Sequence, residues 1–329
     1  MTGSILGLCL AVITFSGWST PAPARPQAQN GSATEISDPS KALTDATPPK
    51  PNLTPDANGK LSQEQMQELF RVVAKKDLEN QKRERDYTYI ERQVENKLGD
   101  KGQVKSTEVK TYEILDLYGE QVWRLIKKND QPLDARDAAK EDDKVQKVID
   151  KHKNESDAER QKRQDKEDKE REEDRKFVRE IADAYNFTLI GTEQIGGRDA
   201  WLIEAEPRPG FEPHMKESKF LSKFHGRVWI DKADLQMAKL DVEAIDTVSV
   251  GWVLARIHKG TRVMVEQTRV NDEVWLPQHV TFKIDVRVAL LKGYLMSGDQ
   301  TYSDYKKFRT SARIVGYGEV KEQPEPPQQ

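Results

Sequence analysis

The strongest constraint in this sequence is a strict two-residue alternation over residues 276–288. Val280, Phe282, Ile284, Val286 and Val288 fall on one face, and Lys283, Asp285 and Arg287 fall on the other. Successive side chains of an extended strand point to opposite sides, so the pattern predicts a strand with one buried and one wetted face. Such a strand needs hydrogen-bonding neighbours on its edges and cover for its apolar face.

The neighbours are legible upstream. Beyond a Gly196-Gly197 turn, Trp201, Ile203 and Ala205 alternate with Leu202, Glu204 and Glu206. Pro207-Arg208-Pro209-Gly210 then breaks the chain, and a short helix or loop carries Met215, Phe220, Leu221 and Phe224. Val228 and Ile230 share one face of a strand over 226–231, and a turn at Lys232-Ala233-Asp234 follows. Next, Ala238, Leu240, Val242 and Ala244 oppose Lys239, Asp241 and Glu243. Val263 and Val265 mark another strand that closes at Asn271-Asp272, and residues 302–308 form a last one. Nearer the start, β-rich runs at 87–94, 104–117 and 121–128 are separated by turn sequences at 98–102 and 118–120. So many hairpin-joined strands predict an antiparallel meander that twists and curls toward a barrel or half-barrel.

Helical signals are fewer. Ser62 with Gln65 reads as a capping box, and Met66, Leu69, Phe70 and Val73 follow at helical spacing, which predicts an amphipathic helix over 61–85. Residues 134–185 read as one further helix, with apolar patches at Val145, Val148 and Ile149 and at Phe177, Val178 and Ile181. Between 151 and 176 it has no large aliphatic or aromatic residue, so residues 134–176 are expected to form a solvated, charged helical insertion. Pairs such as Asp165 with Lys169 add only about 0.2–0.5 kcal/mol each, and the apolar heptad positions of a coiled coil are missing. The fold class expected is α+β, mainly antiparallel β: a curved half-barrel sheet with helices across its open side and a long charged helical insertion.

Residues 5–15 are an apolar run too short to cross ~30 Å of hydrocarbon, and Ala22-Pro23-Ala24 supplies a cleavage-site pattern. Residues 1–24 therefore read as a signal peptide, and export to the periplasm is expected. The single cysteine, Cys9, lies in this segment, so no intrachain disulfide is available. Residues 25–60 are rich in Pro, Ser, Thr, Asn and Ala and read as a disordered linker. The folded domain is expected over 61–315, with a disordered tail over 316–329. After the signal no stretch of ~20 apolar residues offers a membrane span.

The chemistry search excludes more than it finds. A formal net charge of -3 gives no broad basic field for nucleic acid. His152, His214, His225, His258 and His279 lack metal-ligand spacing, and no nucleophile elbow or phosphate-binding loop is present. The glycines after Gly191 lie between strands and lack the Lys-Ser/Thr ending of such a loop. The expectation is a non-enzyme with no catalytic residue, metal or cofactor. Trp123, Trp201, Trp229, Trp252 and Trp275 all lie in or beside strands, as core residues or as the walls of an apolar cavity.

Four local patterns occur in a telling order. Gly197-Arg-Asp-Ala-Trp201-Leu-Ile203 leads to Pro207, Gly226-Arg-Val-Trp229-Ile-Asp231 opens the next strand, Trp275-Leu-Pro277 starts the long one, and Tyr302-Ser-Asp-Tyr305-Lys-Lys-Phe308 ends the sheet. Together they resemble the outer-membrane lipoprotein-sorting (LolA/LolB-like) superfamily over residues 61–308. The charged segment 134–176 departs from that pattern. The resemblance implies a half-barrel whose concave face receives acyl chains of a lipoprotein or lipid, as a periplasmic carrier or chaperone. Its expected lining is Trp201, Ile203, Val228, Ile230, Leu240, Val242, Val280, Phe282, Ile284 and Val286. The alternative is an envelope lipid-sensing signalling protein with the same half-barrel, docking a partner through 134–176. A hydrolase using scattered carboxylates is a third possibility.

Overall fold

The computed structural model describes residues 51–118, 120–250, 255–288 and 292–307. The expected signal peptide, most of the linker, Trp252, Phe308 and the C-terminal tail lie outside the described residues. In chain order the elements are β1 (Lys60–Leu61), α1 (Gln63–Glu84), β2 (Tyr87–Leu98), β3 (Val104–Leu117), β4 (Glu120–Lys128), β5 (Gln131–Pro132), α2 (Ala135–Lys153) and α3 (Asp157–Ala184). They continue with β6 (Tyr185–Ile195), β7 (Arg198–Pro207), a 3-10 helix (Glu217–Lys223), β8 (Phe224–Asp231), β9 (Met237–Ala244), β10 (Val248–Val250), β11 (Ala255–Ile257), β12 (Arg262–Val270), β13 (Val274–Val288) and β14 (Lys292–Lys307).

These strands form one open antiparallel sheet in the order β1-β6-β7-β8-β9-β12-β13-β14-β2-β3-β4-β5. It consists of two meanders, β2–β5 and β6–β14, joined where β14 pairs with β2. The short β10 and β11 continue the lines of β9 and β12, with β11 on β13. The hairpin turns follow from their residues. Gly196 and Gly197 have φ of 56° and 78°, and Asn271 and Asp272 have 50° and 56°, the left-handed pair a two-residue turn requires.

Three expectations change. The segment 134–185 is two helices, because Ser156 and Glu159 form a capping box that starts α3 after Asn154 ends α2. Nor is it all solvated: Val145 and Ile149 of α2 are buried with Leu115 and Leu117. The last strand begins ten residues earlier than 302, since residues 292–301 pair with β13 on one side and in part with β2 on the other. Order also begins before residue 61. The Asp56 carboxylate accepts bonds from the backbone of Asn58 and Lys60, Leu53 packs on the core, and β1 pairs with β6.

α1 lies on one face of the sheet, here called the inner face. Its Met66 and Leu69 are fully buried against Phe187, Ile203, Val228 and Ile230, with Phe70 edge-on to Phe187 at 5.5 Å. The buried Asn80 fixes the other half of the helix. Its side-chain amide donates to the Trp275 carbonyl at 2.8 Å and accepts from the Trp275 N–H at 2.6 Å, as a neighbouring strand would. α3 runs beside α1, with Gln67 donating to Asp183 and Ile181 on the same cluster. α2 packs on the opposite face of β3 and β4, where Arg124 bridges Glu113 and Asp142.

Candidate functional site: the inner face of the sheet

All ten residues expected to line the site fall on the inner face, and the register shows why. Ile203 pairs with Val228, Val228 with Leu240, Leu240 with Val265 and Val265 with Val280. One ladder further along, Val242 pairs with Val263, Val263 with Phe282 and Phe282 with Gly298. Trp201 pairs with Ile230, Ile284 with Met296 and Val286 with Tyr294. Directly paired residues of adjacent strands share a face, so the sheet carries an apolar band across six strands.

The band is largely buried throughout, with Phe282, Ile284 and Met296 at 8%, 4% and 6% exposure, but its two halves have different neighbours. Ile203, Val228 and Ile230 are buried, with Trp201 and Leu240 packed beside them, by α1. In that region the molecule's own helix fills the concavity. Phe282, Ile284 and Met296 form a separate cluster with Val263 and Val286, and every described member comes from a strand. Here a glycine matters. A Cβ on Gly298 would lie 2.1 Å from the Phe282 ring, so the ring rests directly over the backbone of β14. Val242 and Val286 remain partly exposed at the margin. Val263 and Met296 were not among the expected lining residues. Val263 was available from its strand pattern, whereas Met296 lies in the part of β14 whose alternation is masked by glycines and polar residues.

The inner face changes character across β14. Gln300 pairs with Gln93 and Tyr302 with Glu91, so on β2–β4 the surface is aromatic and acidic. Tyr89 packs against Tyr302 and Tyr305 at 5.9 and 5.8 Å. Glu91 is 5% exposed and accepts from Gln93 and from the Trp123 indole N–H at 3.2 Å. Burial pushes the Glu91 carboxyl up, and these donors partly offset it. At the end of α1, burial together with Asp77 and Asp116 pushes Glu84 up to about 8. Burial pushes Asp77 up to about 6, with Asp174 of α3 adding to the rise and a bond from Gln81 opposing it. None of these carboxyls was singled out by the sequence, where acids are too numerous for any to stand apart.

The tryptophans divide by role. Trp229 lies on the outer face with Ala200 and Leu202, its N–H donating to Glu193 at 2.7 Å. Trp275 donates to Asp234 under the Arg198 guanidinium. Both are structural, and Trp201 alone among the described tryptophans joins the helix-covered apolar cluster. A shallow depression of about 420 Å³ lined by Arg198, Asp199, Asp231 and Lys232 belongs to the same turn architecture, since Arg198 is ion-paired with Asp231 and Asp234. Among the described residues, no three His, Cys, Asp or Glu side chains group as metal ligands do. No described helix is long and apolar enough to cross a membrane.

The chain is similar in fold to lipoprotein-sorting structures. One is a domain assigned to outer membrane lipoprotein sorting from Vibrio parahaemolyticus, at 13% identity over 74% of this chain and 95% of that one, with a TM-score of 0.31. Another is a LolA superfamily protein from Nitrosomonas europaea, at 10% identity over 76% and 94%, with a TM-score of 0.26. A chain of the MucA/MucB complex from Pseudomonas aeruginosa gives 10% identity over 74% and 99%, with a TM-score of 0.21. At TM-scores this low the likeness adds nothing to the site, which stands on its own register and packing. No protein-family model matches the chain, and no curated protein matches it in sequence.

Proposed function

We propose that the chain is a periplasmic carrier that holds acyl chains of a lipid or lipid-modified protein on the inner face, serves outer-membrane lipoprotein sorting, and performs no catalysis. The observation that supports this reading is the apolar cluster of Val263, Phe282, Ile284, Val286 and Met296, whose described members all come from strands and whose Val263 and Val286 stay partly exposed. An acyl chain left in water costs about 0.8 kcal/mol per CH₂, and an apolar face removes that cost without covalent chemistry. The paired strands β12, β13 and β14 provide that face.

The test uses a dansyl-labelled fatty acid with the purified chain. Fluorescence is expected to rise on binding and to be reversed by unlabelled palmitate. Val286→Glu, at a partly exposed margin position, is expected to weaken binding at least about tenfold, the cost of setting a charge against apolar ligand. A well-folded protein that neither enhances the probe nor retains acyl chains in native mass spectrometry would overturn the proposal.

A further inference from the structure

The inner face on β2–β4 is built unlike the apolar band, and the acyl-binding reading gives it no task. Three rows of directly paired residues form it: Tyr302–Glu91–Tyr112–Leu125, Tyr89–Ile114–Trp123 and Asp116–Gln121. Directly paired residues share a face, so the rows bring aromatic rings and carboxyls together. Asp77 and Glu84 lie about two turns apart on α1. Glu84 is close enough to Asp116 and Tyr89 for their charges to interact.

Folding alone explains neither of two features here. The first is acid without a partner. Among the described residues, no hydrogen bond or ion pair reaches the Glu84 carboxyl, although the protein encloses it. Glu84 also keeps some accessible surface, so it faces a wetted space and not a packed core. One Asp77 oxygen accepts from Gln81 at 2.8 Å, while the other is buried with no hydrogen-bond partner. Buried polar groups are nearly always paired, so each exception needs a cause. Burial is the main influence pushing both groups up. Asp77 and Asp116 add to the rise of Glu84, which Arg85 opposes, and Asp174 of α3 adds to that of Asp77. The second feature is Trp123. Its indole N–H donates to the buried Glu91 at 3.2 Å, which fixes the ring, yet the residue is 44% exposed.

We infer that this space receives an organic ammonium group, which enters past Trp123 and is held by the Glu84 and Asp77 carboxyls against the Tyr89 side of the sheet. Aromatic faces and carboxylates both attract such a cation, and the last turn of α1 adds its negative end. Among the described residues no three acids converge as metal ligands do, so the spacing suits a group larger than a metal ion. The anionic head of a fatty acid, or a phosphate, would meet like charge here. The inference rests on the carrier reading for the ligand's tail alone. Glu95, in register with Phe282 through Gly298, lies on the same strand as Tyr89 and about 20 Å from it, a span that a long acyl chain covers. The cargo is then an amphiphile whose chain lies on the Phe282 and Ile284 cluster and whose amine head lies across β14.

Competition against the dansyl fatty acid, with the full chain, tests it. Hexadecylamine and palmitate have the same tail and opposite heads. Hexadecylamine is expected to displace the probe at about tenfold lower concentration, the value of one charge-assisted contact. Glu84→Gln with Asp77→Asn keeps the shapes and should erase that preference by weakening hexadecylamine, with palmitate no weaker. Trp123→Ala, at an exposed position, should weaken hexadecylamine about threefold or more, and it decides the matter where the double variant does not fold. The preference should also grow about tenfold or more from about pH 6 to about pH 8.5, because Glu84 ionises over that range while the amine stays charged. Palmitate no weaker than hexadecylamine, or a preference that survives in both variants, overturns the inference. Butylamine, with the head and little tail, identifies the source: calorimetric binding equal to that of hexadecylamine assigns the space to a free amine. The same titration separates the two readings. Butylamine binding by a protein that takes up no fatty acid would remove the carrier reading alone. Fatty-acid binding with no preference for the amine would remove this inference alone.

Discussion

Two regions of the same inner face, built by the same alternation and both largely buried, are packed by different partners. On β6–β9 the ladder of Ile203, Val228 and Ile230 is sealed by Met66 and Leu69 of α1. On β12–β14 the ladder of Val263, Phe282 and Ile284 meets only its own strands among the described residues. Apolar alternation therefore states that a face must be covered, and says nothing about by what. The difference lies in where one helix is pinned, and that is set by a polar residue, Asn80, more than by the apolar pattern.

The comparison can be broken first at Leu69. Leu69→Ala removes a fully buried side chain from the sealed region and is expected to lower stability by about 2–5 kcal/mol in urea denaturation, while fatty-acid binding by the folded fraction persists. A comparable loss of acyl binding would mean that the two regions act as one site. A smaller effect is expected at Gly298→Ala, which drives a methyl into the Phe282 ring. Overpacking of this kind costs about 1–3 kcal/mol, and an unchanged urea midpoint would show that the ring has free space to move into.

A further, pH-dependent effect concerns the acidic end of α1. Glu84 keeps its proton in the folded protein up to about pH 8, whereas an exposed carboxyl ionises near 4.5. The native state thus holds the proton more tightly than the unfolded state, so stability falls as pH rises through this window. Its position in the last turn of the helix adds to the penalty on the charged form. Glu84→Gln should raise the melting temperature at about pH 9 relative to wild type and change it little at about pH 4. An identical pH dependence in both proteins would show that folding leaves the Glu84 carboxyl unshifted.

Much of this was readable beforehand, for identifiable reasons. The strand over 276–288 and the helix opened by Ser62 and Gln65 carry strong local signals, and both formed close to where the residues place them. The ten lining residues share a face because period-two alternation survives in β7, β8, β9 and β13. The first half of β14 is not legible, because Gly293, Ser297, Gly298 and Asp299 interrupt its apolar rhythm and its pairing comes from long-range neighbours. The break between α2 and α3 does have a local signal, since Ser156 and Glu159 repeat the capping box of Ser62 and Gln65. Which lining residues α1 would claim was not legible at all, since it depends on Asn80 meeting a strand 195 residues away.

The position of β14 has a consequence for how the molecule assembles. It is the last of the described strands, yet it sits within the sheet and pairs with β13 on one side and β2 on the other. Residues near 90 wait for partners near 300, so the early strands can form their own hairpins but have no sheet to join until the end of the domain has been delivered. Contacts of that sequence separation make folding slow and leave a long edge of β2 unpaired in the interim. The protein is therefore most exposed to mispairing while it is still incomplete, and the step that ends that exposure is the arrival of its final strand.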